Sequence, residues 1–258
     1  MATELVEVTG GPVEVGWFGR PRAPGDLVLV LLHEGLGSVD LWRDFPDRLA
    51  ARTGLPVMAY SRHGYGRSAP CTLPRPLSYM HDDARIVLPD LLAKLGIDRY
   101  VPVGHSDGGS ITLIHAASPP HPGLAGIVTM AAHVYAEPCS ISSIAAARQA
   151  FANGRLREAL ARWHGDNVDC AFLGWADAWL SPPFAGWNLL ELLPAITVPS
   201  LILQGETDEY GTDAQVRDIA AGVSGPCTTR IFAACGHAPQ KDQPELTLDA
   251  IADFLAGL

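Results

Sequence analysis

Ser106 is the residue whose surroundings most strongly suggest chemistry. It lies in GHSDGGS, residues 104–110, which contains a G-x-S-x-G pattern. This pattern is typical of a serine held on a sharp turn between a strand and a helix, where small neighbours let the backbone pass closely at a strained point. An apolar segment at 99–103 precedes the serine, and SITLIH at 110–115 can continue as a helix. The local sequence therefore fits a nucleophile on such a turn.

Two residues further along the chain can activate this serine. A serine hydroxyl is a weak nucleophile at neutral pH, so it needs a base within hydrogen-bonding reach and a third group that orients the base. On strand-to-helix turns of this kind the partners follow in the order serine, acid, histidine. Asp208 comes just after the apolar segment 199–204, and His237 follows the segment 228–233. Three nearby carboxylates are alternatives for the acid: Glu206, Glu209 and Asp213.

The segments around these residues predict the fold class. Short β-type segments alternate with longer helical stretches, which predicts an α/β fold with a mostly parallel central sheet and helices on both faces. Several of the strands are apolar throughout, as expected when helices cover both of their faces. The predicted strands are 13–19, 27–33, 56–60, 99–103, 125–131, 199–204 and 228–233.

Helical periodicity marks at least two of the covering helices. Apolar residues recur on one face across 78–95, and Gly96 provides a signal for the end of that helix. Pro89 is expected to kink or divide it, because proline lacks the N–H that a helix interior uses. The last helix is predicted to begin near Pro244. Its buried face is expected to contain Leu248, Ile251, Ala252 and Leu255.

Residues 134–194 interrupt the alternation of strands and helices. This stretch contains no convincing strand, two or three helical segments, and four tryptophans: Trp163, Trp175, Trp179 and Trp187. We interpret it as a helical cap, or lid, inserted into a core formed by residues 1–133 and 195–258.

Composition excludes several classes of function. The chain has 258 residues with 28 acidic and 18 basic side chains, and its formal charge of -10 disfavours nucleic acid as a partner. The N-terminal MATELVEVTG does not resemble a signal peptide, and no segment has the length and apolarity of a membrane span. The five cysteines are scattered, so neither a disulfide framework nor a structural zinc site is indicated. These features predict a cytoplasmic protein that does not contact the membrane.

Taken together, the motifs resemble those of the α/β-hydrolase superfamily, and in particular its capped serine esterases and haloperoxidase-like hydrolases. LLHEGLGS, YSRHGYGRS, GHSDGG, LILQGETDEYG and ACGHAPQKDQPE occur in the order found in that superfamily. The resemblance covers nearly the whole chain. It implies that Ser106 is the nucleophile, Asp208 the acid and His237 the general base.

The resemblance also implies an oxyanion hole and a pocket. One backbone N–H donor would belong to Asp107, and the other to Gly35, with Leu36 as the alternative. Many relatives have His-Gly where this chain has His33-Glu34, so the geometry of this loop is expected to differ. The residues expected to line the pocket are His133, Trp163 and Trp179.

Two further patterns partly match a dinucleotide-binding motif and a zinc-binding motif, but each lacks a feature that the motif needs. GYGRSA at 64–69 satisfies G-x-G-x-x-A, but the prolines that follow prevent the helix whose N-terminus would hold a pyrophosphate. His33-Glu34 would start a zinc motif only if a histidine stood at Gly37. We therefore predict no cofactor and no metal.

The sequence predicts a serine hydrolase that cleaves a carboxylic ester or a lactone through an acyl-enzyme intermediate. Carbon–carbon bond hydrolysis and thioester hydrolysis are alternatives, because the same residues serve them. A ligand-sensing protein of the same fold is a further alternative. The expected partner is a small ester or lactone, and the oligomeric state stays open, with a homodimer as one alternative.

Overall fold

The computed structural model describes residues 3–118 and 121–258. Met1 and Ala2, part of the N-terminal segment considered above, lie outside the described residues. Eight strands form one sheet in the order β1-β2-β4-β3-β5-β6-β7-β8. The strands are β1 Thr3–Val8, β2 Gly11–Phe18, β3 Val28–Leu32, β4 Val57–Ser61, β5 Tyr100–His105, β6 Ile127–Met130, β7 Ser200–Gly205 and β8 Cys227–Phe232.

The sheet confirms the predicted fold class. From β4 to β8 all neighbouring strands are parallel, while β1 and β2 add an antiparallel edge. Every residue of β3, β4, β5, β6 and β7 is buried. All seven predicted strands are present, with bounds shifted by only a residue or two.

The first strand, β1, was not predicted from the sequence. Only its last residue, Val8, is buried, and Leu5 is 58% exposed. An edge strand that pairs on one side needs no apolar run, so β1 left no strong pattern in the sequence.

Helices cover both faces of this sheet. The α-helices are α1 Phe45–Thr53, α2 Tyr79–Asp82, α3 Leu88–Lys94, α4 Asp107–Ala116, α5 Pro138–Ala152, α6 Arg155–His164, α7 Val168–Trp179, α8 Asp213–Gly222, α9 Pro239–Asp242 and α10 Pro244–Leu255. Short 3-10 helices add Asp40–Trp42, Gly165–Asn167, Pro182–Gly186 and Leu190–Ala195. Among the described residues, none of the helices combines the length and apolarity needed to cross a bilayer.

The helix predicted at 78–95 is divided as its proline suggested. A π-helical turn at Asp83–Val87 separates α2 from α3, just before Pro89. Pro89 cannot donate a backbone hydrogen bond, and the wider turn accommodates this loss. Gly96 follows with a φ of 61°, the left-handed conformation that ends helices. In α10, Leu248 and Ile251 are buried as predicted, whereas Ala252 and Leu255 are only half-buried.

The stretch between β6 and β7 is helical and adds no strand to the sheet. It contains α5, α6 and α7, and its one β-type pairing is an isolated bridge between Tyr135 and Asn188. Phe151 of α5 stacks on Phe172 of α7 with ring centroids 3.9 Å apart, so the helices share a small aromatic core. We call residues 138–195 the helical segment.

Candidate active site

Ser106 sits on the sharp turn between β5 and α4. Its backbone φ is 53°, a value that residues with a side chain rarely adopt, and its N–H donates to the Met130 carbonyl at 2.9 Å. A side chain on Gly104 would collide with the Gly108 carbonyl, and one on Gly108 with the Leu32 carbonyl. The glycines of the motif are therefore needed for the close passage of α4 over the sheet.

Three predicted residues form one hydrogen-bonded chain at this turn. His237 Nε2 lies 2.9 Å from Ser106 Oγ, and His237 Nδ1 lies 2.8 Å from Asp208 Oδ1. Because the carboxylate can only accept, Nδ1 carries the proton and leaves Nε2 free to accept from the serine hydroxyl. The arrangement can raise the nucleophilicity of the hydroxyl by removing its proton.

Asp208 is the carboxylate that the fold brings to His237. Its side chain is fully buried, whereas its sequence neighbours Glu206, Glu209 and Asp213 are exposed. Backbone N–H groups of Tyr210 and Gly211 donate to Oδ1 at 2.8 and 3.3 Å. The Gln204 side-chain amide donates to Oδ2 at 2.8 Å. Burial alone would raise the pKa of Asp208, but the hydrogen bonds from His237 and Tyr210 hold it below its usual value.

A second histidine supports His237 from behind. His105 Nε2 donates to the His237 carbonyl at 2.7 Å, and the Gln240 amide donates to His105 Nδ1 at 3.0 Å. The Tyr210 ring packs against the His237 ring with centroids 4.6 Å apart. These contacts fix the imidazole on both its backbone and ring sides, and its side chain keeps 14% exposure.

The two predicted oxyanion-hole segments flank the serine. Asp107 begins α4, and N–H groups in the first turn of a helix have no acceptor within that helix. Gly35 and Leu36 lie in the turn after β3, where the Gly37 N–H closes onto the Glu34 carbonyl at 3.1 Å. Since β3 pairs with β5 directly, this turn lies beside the serine turn.

Of the predicted pocket residues, His133 and Trp179 lie together near His237, whereas Trp163 packs against Arg43. The His133 ring lies 5.8 Å from that of His237 and 5.3 Å from that of Trp179. Burial lowers the pKa of His133 to about 3, so its ring stays neutral at this position. Trp163 instead stacks against the Arg43 guanidinium, which lies 4.0 Å from the ring centroid.

The sequence profile of the alpha/beta hydrolase family matches residues 29–250 of this chain. The chain belongs to this family. This confirms the resemblance to the α/β-hydrolase superfamily drawn from the motifs, and membership supports hydrolase activity. No curated protein matches the chain.

Solved structures show the same fold at low sequence identity. The enol-lactonase from Burkholderia xenovorans is 20% identical, with 98% of this chain and 100% of that chain covered at a TM-score of 0.74. A thermophilic esterase from Thermogutta terrifontis is also 20% identical, with 100% of this chain and 99% of that chain covered at a TM-score of 0.74. The proline iminopeptidase from Mycobacterium smegmatis is 20% identical, with 99% of this chain and 98% of that chain covered at a TM-score of 0.72.

Within this α/β hydrolase, Trp175 and Tyr79 lie near the site but were not among the residues that the sequence predicted for it. Trp175 of α7 packs so closely on Gly35 that a side chain there would collide with the indole nitrogen. The Tyr79 hydroxyl donates a hydrogen bond to Asp107 Oδ2 at 2.6 Å, and the Trp179 indole N–H donates one to Asp107 Oδ1 at 3.2 Å. An acidic residue at position 107, within the apolar and small-residue stretch that follows the turn, was the one signal in the sequence that such partners exist.

His164 joins the helical segment to the core loops. Its Nδ1 accepts from the Gly66 N–H at 3.1 Å, and its Nε2 donates to the Leu36 carbonyl at 3.0 Å. The ring is 2% exposed, and burial lowers its pKa. It therefore ties the turn that carries Gly35 and Leu36 to the helices above it.

Proposed function

We propose that the protein is a serine hydrolase that cleaves a carboxylic ester or a lactone through an acyl-enzyme intermediate. The observation that carries the proposal is the hydrogen-bonded chain from Asp208 through His237 to Ser106. Membership of the alpha/beta hydrolase family supports hydrolysis as the reaction. An enol-lactonase and an esterase among the structures of similar fold are consistent with an ester bond as the target.

In the proposed first half-reaction, Ser106 Oγ attacks the carbonyl carbon while His237 Nε2 takes the hydroxyl proton. Asp208 keeps the proton on Nδ1 and stabilises the imidazolium that forms. The carbon–oxygen bond to the leaving alcohol then breaks, and the alcohol takes the proton from Nε2. Ser106 is left acylated.

In the second half-reaction, water replaces the alcohol. His237 takes a proton from the water as it attacks the acyl carbon, and returns it to Ser106 Oγ as the ester bond to the serine breaks. In both steps the negative oxygen is held by the N–H groups of Asp107 and Gly35, with Leu36 as the alternative to Gly35. Losing one such donor typically slows acyl transfer by about 10² to 10³.

We further propose that residues 134–194 act as the cap of this site. Trp175 and Trp179 of α7 pack beside the serine turn and the loop that carries Gly35, which favours a substrate with an apolar acyl or alcohol part. His133 would contact the same part of the substrate as a neutral group. Trp163, which packs on Arg43, would contribute to the outer rim.

The decisive test compares wild-type protein with Ser106→Ala on a panel of esters and lactones of graded size. We expect multiple turnovers by the wild type and a loss of several orders of magnitude in kcat for the variant, without loss of folding. Ser118→Ala, which removes a hydroxyl two residues beyond the C-terminal end of α4, is the matched control and should retain activity.

A fluorophosphonate probe adds a second readout of the same site. It should label the wild type and Ser118→Ala but not Ser106→Ala. Near wild-type turnover by Ser106→Ala would refute the assignment of the nucleophile. Labelling without turnover of any ester would favour the ligand-sensing alternative, and faster cleavage of a carbon–carbon bond or a thioester would replace the proposed substrate class.

A further inference from the structure

The carbonyl of Glu34 is held by three donors. Arg62 Nη2 donates to it at 2.8 Å, His33 Nδ1 at 2.7 Å, and the Gly37 N–H at 3.1 Å. The tautomer of His33 is set by Arg62 as well, because the Arg62 backbone N–H donates to His33 Nε2 at 3.0 Å. Burial lowers the pKa of His33 far below its usual value, so the ring stays neutral and Nδ1 keeps its proton.

This carbonyl belongs to the peptide unit that contains the Gly35 N–H. The Glu34–Gly35 bond is trans, so its C=O and N–H point in opposite directions in one plane. Fixing the Glu34 oxygen therefore fixes the direction of the Gly35 N–H. Because a charged donor also polarises the peptide it binds, the Arg62 contact strengthens this N–H as a donor.

The same guanidinium faces the other half of the candidate oxyanion hole. Arg62 Nη1 lies 3.8 Å from Asp107 Oδ2, and the two side chains are 3% and 0% exposed. The Asp107 carboxylate is also held by the Tyr79 hydroxyl and the Trp179 indole. Without a nearby cation, this buried negative charge would oppose an oxyanion bound at the backbone of the same residue.

We propose that Arg62 is a positioning residue that holds both halves of the oxyanion hole. It orients the Gly35 N–H through the Glu34 carbonyl, and it offsets the charge of the Asp107 carboxylate. It touches neither substrate nor the reacting atoms. The inference rests on the proposed function, since an oxyanion forms only if Ser106 attacks a carbonyl or a comparable centre.

The experiment measures the rate of fluorophosphonate labelling at Ser106, together with kcat and KM for an activated ester. Arg62→Met is expected to slow labelling and lower kcat by about 10² to 10³, with little change in KM, because donors aimed at the oxyanion act in the transition state. Arg75→Met is the matched control. Arg75 is another buried arginine of the same region, but it bonds to Tyr65 and His63 rather than to Glu34.

A double variant keeps the test valid if Arg62→Met fails to fold. Arg62→Met/Asp107→Asn removes the Arg62 charge together with the facing Asp107 charge and leaves only Asp83, which lies 4.0 Å from Arg62 Nε, without this cation. It should therefore fold more stably than the single variant, yet the Glu34 carbonyl still lacks its guanidinium. Its labelling should therefore remain slow. Labelling of the double variant at the wild-type rate, or equal slowing by Arg75→Met, would overturn the role of Arg62.

The same measurements separate this inference from the proposed function. If the wild type neither reacts with the probe nor turns over esters, the proposed function fails. If the wild type reacts and the folded Arg62 variants react equally fast, only the positioning role fails.

Discussion

At the scale of single residues, Asp208 illustrates how completely a buried carboxylate must be satisfied. Its two oxygens accept from His237, from two backbone N–H groups and from Gln204. Each of these donors favours the ionised form, which outweighs the cost of burial. A carboxylate held in this way can orient an imidazole and stabilise its protonated form.

Asp208→Asn tests this role. The amide keeps the size of the side chain but removes the charge, and its NH₂ group would face donors on Gln204 and His237. We expect kcat to fall by a factor on the order of 10⁴, while binding changes little. Steady-state kinetics on an activated ester measure the effect.

The matched control for this variant is Glu206→Gln, at an exposed carboxylate two residues away. It should retain wild-type kcat. A comparable loss in Glu206→Gln, with activity retained in Asp208→Asn, would transfer the acid role to Glu206.

At the scale of elements, α4 packs on the sheet at unusually close range. A side chain on Gly108 would collide with the carbonyls of Leu32 and His33 at the end of β3. Backbone atoms at a strand end cannot move aside as a flexible side chain can. The helix that carries Ser106 is therefore held against β3 only because residue 108 has no side chain.

Gly108→Ala should lower the free energy of unfolding by about 1 to 3 kcal/mol or more, because an overpacked contact must displace backbone. Gly186→Ala is the control, since a side chain there meets open space. It should change stability by no more than about 0.5 kcal/mol. Urea unfolding followed by circular dichroism measures both, and equal stability of the two variants would contradict the close-contact argument.

At the scale of the whole molecule, several histidines are buried as neutral groups. Burial lowers the pKa of His115 to about 4 and that of His133 to about 3. His115 links three elements: its Nδ1 donates to the Ala84 carbonyl at 2.8 Å, and its Nε2 accepts from the Tyr100 hydroxyl at 2.7 Å. Protonation would place a positive charge on this buried ring, and the cost of removing that charge from water is what lowers its pKa.

These histidines predict a loss of stability in mild acid. In the unfolded chain a histidine binds a proton near pH 6.5, whereas folded His115 does so only near pH 4. Unfolding therefore takes up protons between these values, and the free energy of unfolding falls as pH decreases from 6.5 towards 4. Each such histidine contributes up to about 1.4 kcal/mol per pH unit.

His115→Gln isolates one contribution, because glutamine does not titrate. Its stability should depend less steeply on pH than that of the wild type across this window, although it is lower at neutral pH. Urea unfolding at several pH values between 7.5 and 4.5 provides the measurement. Parallel curves for the two proteins would show that His115 does not carry the effect.

The parallel sheet, seven of its eight strands and the order of Ser106, Asp208 and His237 along the chain could be predicted from the sequence. Buried strands are apolar runs and the glycine motif marks one strained turn, so these features are local and can be read from neighbouring residues. The edge strand β1 was not predicted, because a strand that pairs on only one side needs no such apolar run.

The distant side chains that pack around Asp107 and Gly35 could be identified only from the folded structure. Arg62 and Tyr79 approach Asp107, and Trp175 packs on Gly35, from three separate parts of the chain, and no periodicity links these residues to one another or to Ser106. Such contacts depend on how helices and loops pack over the sheet, and therefore on the geometry of the whole fold. The physical reason is that a hydrogen bond or a close packing contact acts over a few ångströms in space, whatever the separation along the chain.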